Sequence, residues 1–288
     1  MPFESTRTRP HRSPVRHWAL GLLAAALLLT GCESQADKDK KLADAAYREK
    51  LAKAKAIFAE RCKTAGVVIH RTVKDVEGIS INKVRPTLEF ADKRYFDPMW
   101  PEAAMATEAR GDEYIKQFML SEYLQEPNRR GGLFAPNLDV SRDKPPRPFL
   151  RGYRFVDFTD VGDGKRYRFT LPAHPSANVV LMPLKRELLK TATARYLLDF
   201  DDLVDPEDRA YWVAGTKLRV IDQQNGEVIA EMTRFVLEAG FGSNASGRWA
   251  WQMPSSSLSL RCQGDANQPT TPVSRYFVDT VLIPKQGD

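Results

Sequence analysis

The residues with the most distinctive chemistry in this chain are its three cysteines. Cys32 ends a short apolar run that follows a basic leader. The charged residues of the leader are Glu4, Arg7, Arg9, Arg12 and Arg16. A basic start, a short apolar segment and a small-residue exit are typical of an export signal. As a helix, the segment from Trp18 to Thr30 would reach about 20 Å, short of the ~30 Å hydrocarbon core of a bilayer. We therefore predict a cleaved signal peptide over residues 1–31, and not a membrane span.

The tetrad Leu29-Thr30-Gly31-Cys32 resembles a bacterial lipobox. The resemblance implies cleavage before Cys32, a diacylglyceryl group on its sulfur and a fatty acid such as palmitate on its freed amine. The alternative is an ordinary secretory signal with an incidental cysteine. Glu33, which is not an aspartate, implies delivery to the outer membrane. We expect a protein held on the periplasmic face of the envelope by its acyl chains, with the membrane as its first partner.

Cys62 and Cys262 remain once Cys32 is assigned to lipid. An even pair in an oxidising compartment favours a disulfide. Closing a loop of about 200 residues would restrict the unfolded chain by roughly 5 kcal/mol on the chain-entropy model. Two buried free thiols are the alternative.

Signatures of catalysis are missing from the sequence. After the leader, the only histidines are His70 and His174, and neither has a partner at metal-ligand spacing. The zinc-protease pattern His-Glu-x-x-His and the phosphate-binding pattern Gly-x-x-x-x-Gly-Lys are absent, and residues 242–247 do not match the nucleophile pattern Gly-x-Ser-x-Gly. We expect no catalytic residue, no metal and no cofactor, with His70 half-buried in a strand and His174 exposed in a loop.

Acidic side chains concentrate in one run. Its members are Asp199, Asp201, Asp202, Asp205, Glu207 and Asp208. Three interpretations are open: a solvated loop before a helix start, a calcium loop, and a negative surface for a basic partner. A calcium loop places oxygens at alternate positions with a glycine at the bend, and Leu203, Val204 and Pro206 interrupt that pattern.

The basic balance of the chain does not indicate nucleic acid. The formal net charge of +6 falls to +3 without the leader, which holds four arginines and one glutamate. The remaining basic clusters are Arg129-Arg130, Arg142 to Arg154 and Lys165-Arg166. An export signal makes a nucleic-acid partner a poor fit. A solvated face is the first interpretation of these clusters, and an anionic lipid surface is the second.

One helix and several hairpins are predicted to position these groups. Residues 38–63 are rich in strong helix formers, and Tyr47, Leu51, Ala54, Phe58 and Cys62 form one stripe at helical spacing. Hairpins are predicted over 152–171 and 217–232, the second around Asn225-Gly226. Asp205 and Pro206 begin a short helix, residues 126–147 form a long loop, and Tyr276 to Ile283 is a strand candidate.

These elements indicate an α+β fold, with an N-terminal amphipathic helix packed on a mainly antiparallel β-sheet. The expected organisation is a signal peptide over residues 1–31, a lipid anchor and helix over 32–66, and an α+β body over 67–288. The Pro-, Gly- and Arg-rich segment gives the body a candidate subdomain boundary near 126–150.

Two groups of segments resemble a family of proteobacterial lipoproteins without an assigned activity. The first is Glu60-Arg61-Cys62-Lys63-Thr64-Ala65-Gly66, with residues 76–79 and 84–86. The second is Glu207-Asp208-Arg209-Ala210-Tyr211-Trp212-Val213-Ala214-Gly215, with residues 218–222. Proteins of this kind tend to be encoded beside lipase or phospholipase effectors of the type VI secretion system.

The resemblance implies a periplasmic immunity lipoprotein that binds such an effector. We hypothesise that its contacts are acidic residues with aromatic anchors, namely Asp199, Asp201, Asp202, Asp205, Trp249 and Trp251. A structural or assembly lipoprotein of the envelope is the alternative, and an enzyme acting on envelope polymers is a third possibility. The family pattern supplies no binding residue of its own.

Overall fold

The computed structural model describes residues 34–87, 97, 99–106, 108–125, 129–135, 149–172, 182–190, 193–238, 259–262 and 272–287. Cys32, Trp249 and Trp251 lie outside the described residues, as do His174 and the predicted signal peptide. The chain divides into two compact units, residues 1–49 and residues 50–288. The candidate boundary near 126–150 therefore falls within the second unit. In the described part of the chain, no helix is long and apolar enough to cross a membrane.

Helix α1 spans Gln35–Cys62. Ser34 precedes it, and its Oγ accepts a hydrogen bond from the backbone N–H of Asp37 at 3.1 Å, which caps the first turn. Side chains from Ser34 to Lys50 are exposed. Tyr47, the first residue of the predicted stripe, is among them. The stripe therefore buries no side chain in this half of the helix.

The second half of α1 contains buried side chains. Ala54 and Phe58 belong to an apolar cluster that also includes Trp212. At the end of the helix, Cys62 forms a disulfide with Cys262, with the two Cα atoms 5.3 Å apart. The pairing predicted from the two remaining cysteines is present in the structure.

Nine strands of the described residues form one sheet. They are β1 Gly66–Ile69, β3 Gly78–Ile81, β7 Phe155–Thr159, β8 Arg166–Thr170, β9 Lys185–Leu188, β10 Tyr196–Leu203, β11 Val213–Asp222, β12 Glu227–Glu238 and β13 Ser259–Arg261. Their order is β1-β12-β11-β10-β3-β7-β8-β9, and β13 pairs with β12. Neighbours are antiparallel except at β3, which pairs in parallel with β7 and β10. The protein is thus α+β, and its large sheet is mostly antiparallel.

Both predicted hairpins are confirmed. Strands β11 and β12 are joined by a turn at residues 223–226, where Gly226 has a φ of 74°. A positive φ is readily adopted by glycine, which explains the Asn-Gly signal. Strands β7 and β8 are joined by the turn that follows Thr159. Strands β11 and β12 extend beyond the predicted limits, from Val213 to Glu238.

Two smaller sheets complete the β-structure of the described residues. In the first, β2 Val73–Val76 pairs in parallel with β14 Leu282–Pro284. In the second, β4 Ser121–Gln125 lies between β5 Arg129–Phe134 and β6 Phe149–Leu150. The prediction of a continuous loop over 126–147 is wrong at β5. The ring of Phe134 stacks on Tyr123 of β4 with centroids 4.0 Å apart. Local composition does not indicate this contact between two strands.

The remaining helices are short. They are a 3₁₀ helix at Pro101–Met105, α2 at Asp112–Lys116, α3 at Pro206–Ala210 and α4 at Val273–Val281. The predicted strand from Tyr276 to Ile283 is wrong, because most of it lies in α4. Burial of Tyr276, Phe277 and Val278 in the core outweighs their β propensity. Arg275 and Asp279, one turn apart and joined at 2.6 Å, support the helix.

Candidate functional site

Strand β10 divides the predicted acidic residues between its two faces. Leu198 and Phe200 are buried in the main apolar cluster. Since successive side chains of a strand point to opposite faces, Asp199 and Asp201 share the other face. Asp202 lies on the same face as Phe200. The interpretation of this run as a solvated loop is therefore wrong for these three residues, and alternation with apolar residues was the signal that could have revealed the strand.

Two cations bind the carboxylates on the outer face of β10. Arg219 of β11 lies directly opposite Asp199, with its Nη2 3.1 Å from Asp199 Oδ2, and it also contacts Asp201. Lys83 Nζ lies 2.9 Å from Asp201 Oδ1 and 3.6 Å from Asp199 Oδ1. Asn82 donates a hydrogen bond to Asp199 Oδ1 at 2.9 Å. We call Lys83, Asp199, Asp201 and Arg219 the charge ladder.

The two carboxylates of the charge ladder differ in accessibility. The side chain of Asp201 is 45% exposed, whereas that of Asp199 is 12% exposed. A hydrogen bond from Lys83 lowers the pKa of Asp201 below its ordinary value, and Arg219 acts in the same direction. Asp201 is therefore ionised at neutral pH and is the carboxylate of the ladder that a partner can reach.

Asp202 has a structural role. Arg85 is completely buried, and its Nη1 lies 3.3 Å from both carboxylate oxygens of Asp202. The guanidinium carbon is 4.1 Å from the ring centroid of Phe200. A buried charge needs a counter-ion. Asp202 supplies it, and its side chain is too buried to form part of a negative surface.

The end of the acidic run binds the last turn of α1. Asp205 caps α3, because its Oδ1 accepts a hydrogen bond from the backbone N–H of Glu207 at 2.8 Å. Its Oδ2 lies 3.3 Å from Arg61 Nη2, and Asp208 Oδ2 lies 2.8 Å from Arg61 Nε. Arg61 is adjacent to Cys62 of the disulfide. The predicted helix start is thus confirmed, and its carboxylates also form ion pairs.

A polar groove of about 340 Å³ lies on the same face of the sheet. Its lining includes Ser80, Asn82, Asp157, Thr159, Arg166, Thr193 and Gln223. Buried Asp157 forms two hydrogen bonds with Arg168, at 2.8 and 2.9 Å, and accepts a third from the backbone N–H of Ala194 at 2.8 Å. The groove thus continues the pattern of the charge ladder, in which the carboxylates are bound by cations of the same chain.

Other predicted groups take different positions. His70 is exposed just after β1 and is not half-buried; the four residues of β1 are exposed as well, and the strand pairs only with β12 among the described residues. Within the described ranges, no group of three or more His, Cys, Asp or Glu residues is placed to hold a metal ion. Sequence reasoning missed the buried cations Arg85, Lys116 and Arg275. No local pattern indicates the burial of Arg85, because its counter-ion Asp202 lies 117 residues away in the chain.

Comparison with protein-family models, with curated proteins and with solved structures finds no match to this chain. The fold therefore defines only a broad class. The protein is an α+β protein with one large sheet, an internal disulfide and a charged outer sheet face.

Proposed function

We propose that this protein is a lipid-anchored immunity protein of the periplasm, which binds and neutralises a secreted lipase or phospholipase effector of the type VI class. The lipobox-like tetrad ending at Cys32 and the resemblance to envelope lipoproteins support the proposal. The disulfide suits an oxidising compartment. In this proposal α1 leads away from the outer membrane and packs its second half on the sheet, and the body carries no catalytic role.

The exposed carboxylate of Asp201 is the observation that carries this function. Two cations already fix its position, so binding would order little additional side chain. A phospholipase that binds phosphate needs a positively charged site, and a fixed carboxylate is complementary to that site. Asp205, which is similarly exposed, is the second proposed contact. Asp199 and Asp202 would act as supports, and Trp249 and Trp251 remain predicted anchors.

The lipid tether would make such a binding protein effective. A phospholipase that attacks the envelope works at the membrane surface. Confining the inhibitor to that surface raises its effective concentration there without any new contact. The tether and the charged sheet face would therefore serve the same interaction, one by location and the other by complementarity.

A charge reversal tests the proposed contact. The secreted lipase would be captured from attacked sibling cells and assayed on phospholipid vesicles with added full-length protein. We expect Asp201→Lys to weaken inhibition by about tenfold or more, because the substitution places a cation against a positive site. The matched control is Glu187→Lys, which reverses a charge of the same sheet on β9, four strands from β10, that pairs with Lys185 at 2.8 Å. Equal inhibition by both variants, with native melting temperatures, would exclude the proposed contact.

Edge strand β1 favours a second candidate, an assembly lipoprotein of the envelope. Val67, Val68 and Ile69 are all exposed, and β1 pairs only with β12 among the described residues. An open edge with exposed apolar side chains is suited to pairing with a strand of an envelope assembly protein. Val68→Lys would then weaken the envelope in cells that no attacker challenges. Normal envelope resistance in those cells would exclude this candidate.

A further inference from the structure

A second cavity, far in sequence from the acidic run, has the opposite charge character. It measures about 240 Å³, and its lining includes Ser121, Arg151, Gly152, Tyr153, Arg154 and Lys285. Three of these side chains are cationic, and none of the described residues that line the cavity is acidic. We call it the Ser121 cavity.

The hydroxyl of Ser121 lacks a partner in this cavity. Ser121 is completely buried, and its Oγ makes no hydrogen bond. Buried polar groups are nearly always satisfied, so an orphan hydroxyl that lines a cavity indicates a missing ligand. A hydroxyl can donate its proton to an anionic oxygen.

The C-terminal segment fixes the cationic rim. Arg154 Nη2 donates a hydrogen bond to the carbonyl of Gly287 at 3.0 Å. Gln286 forms a two-way pair with the backbone of Arg151, accepting from its N–H at 2.8 Å and donating to its carbonyl at 3.3 Å. Lys285 Nζ lies 2.8 Å from Glu77 Oε1, and the same oxygen lies 3.6 Å from Arg154 Nη1.

The charge balance at the rim favours an anion. Lys285 and Arg154 share the single carboxylate of Glu77, and hydrogen bonding from Lys285 lowers the pKa of that carboxyl. Arg151 also lines the cavity. Gly152 lets the backbone approach closely, since a Cβ there would stand 2.4 Å from the carbonyl oxygen of Leu120. At about 240 Å³, the cavity is smaller than the sites that take drug-sized ligands.

We propose that the Ser121 cavity binds a phosphate group. Arg154 and Lys285 would attract the anion from the rim, and Ser121 Oγ would donate a hydrogen bond to one of its oxygens. The phosphate could belong to a free phosphomonoester or to a phospholipid headgroup, because both present the same oxygens. The site is separate from the charge ladder and does not depend on the proposed immunity function.

Calorimetric titration of the full-length chain in nonionic detergent tests this proposal. Three probes distinguish the sources: inorganic phosphate, glycerol 3-phosphate, and dihexanoyl phosphatidylglycerol below its micellar concentration. We expect saturable binding of at least one probe, weakened about tenfold by Ser121→Ala and by Lys285→Gln. Preference for the lipid probe would identify a headgroup site, and preference for the other two a free-phosphate site.

Lys217→Gln is the matched control, because it removes a cation that is paired with Glu231 on the large sheet. Its affinity should equal that of the native protein. No saturable binding of any probe by the native protein would overturn the proposal. Binding that is unchanged in both Ser121→Ala and Lys285→Gln would overturn it as well. If Ser121→Ala fails to fold, the Lys285→Gln titration decides.

Discussion

The charge ladder and the Ser121 cavity differ in whether their polar groups have partners within the chain. In the ladder, Asp199 and Asp201 are bound by Lys83 and Arg219 of the same chain. In the cavity, the hydroxyl of Ser121 is buried without a partner, and the charged residues among the described part of the lining are all cationic. The ladder is conspicuous in the sequence and largely neutralised in the structure. No local sequence pattern indicates the cavity, and in the structure the hydroxyl of Ser121 makes no hydrogen bond.

This difference shows that a run of like charges in the sequence does not by itself identify a binding surface. In the folded protein, cations from β11 and from the segment after β3 lie beside the acidic strand. They neutralise most of the negative charge of that strand. What remains for a partner is the exposed fraction of individual side chains, here Asp201 and Asp205. An unsatisfied buried donor that also lines a cavity is the more direct sign of a ligand.

The largest expected effect comes from removing a buried counter-ion. Asp202→Ala leaves the guanidinium of Arg85 buried and uncompensated, and we expect it to lower the free energy of unfolding by about 3–5 kcal/mol. Asp201→Ala, at the exposed end of the ladder, should cost only about 0.2–1 kcal/mol. Urea titrations of both variants measure the contrast. Similar losses for the two would contradict the division of β10 into a structural face and an accessible face.

Removal of the disulfide should have the next largest effect. The double variant Cys62→Ser, Cys262→Ser should lose about 2–5 kcal/mol, because the unfolded chain regains the freedom that the bond denies it. The loss should be visible as a lower urea midpoint. Arg61→Ala, which removes the adjacent ion pairs and keeps the bond, is the control for local disruption. A double variant as stable as the native protein would show that the bond contributes little.

Acid should destabilise the protein through Asp201 of β10 and Asp222 of β11. A hydrogen bond from Arg195 strongly lowers the pKa of Asp222, and one from Lys83 lowers that of Asp201. The unfolded chain therefore binds more protons, so stability is complete above the ordinary aspartate pKa of about 4 and falls as pH drops below it. Urea midpoints between pH 7 and pH 2.5 would follow this loss. Asp222→Asn should flatten the profile, and an unchanged slope in that variant would contradict the assignment.

Ser121→Ala should have the smallest effect on stability. Its hydroxyl makes no hydrogen bond, so its removal should change the free energy of unfolding by less than about 1 kcal/mol, in either direction. Thermal melting without phosphate measures this. A loss above about 2 kcal/mol would mean that the hydroxyl is satisfied within the fold, and the contrast with the ladder would disappear.

Local sequence patterns predicted the parts of the fold that depend on local chemistry. Asn225-Gly226 located a hairpin because the turn itself requires a positive φ, and Asp205 located a helix start because the cap lies within the first turn. The even number of cysteines left after Cys32 predicted the disulfide. Helix α4 was missed because its burial overrides β-favouring side chains. The burial of Arg85 and the Ser121 cavity depend on segments far apart in the chain, and no local pattern encodes them.

Inhibition of the captured lipase is the most direct test of the central claim, that this protein is a binding protein for a membrane-attacking enzyme. The lipase would be titrated with the full-length chain on phospholipid vesicles, with its activity followed by fatty-acid release. We expect the activity to disappear near equimolar native protein and to return with Asp201→Lys. Full lipase activity at a large excess of native protein would contradict it.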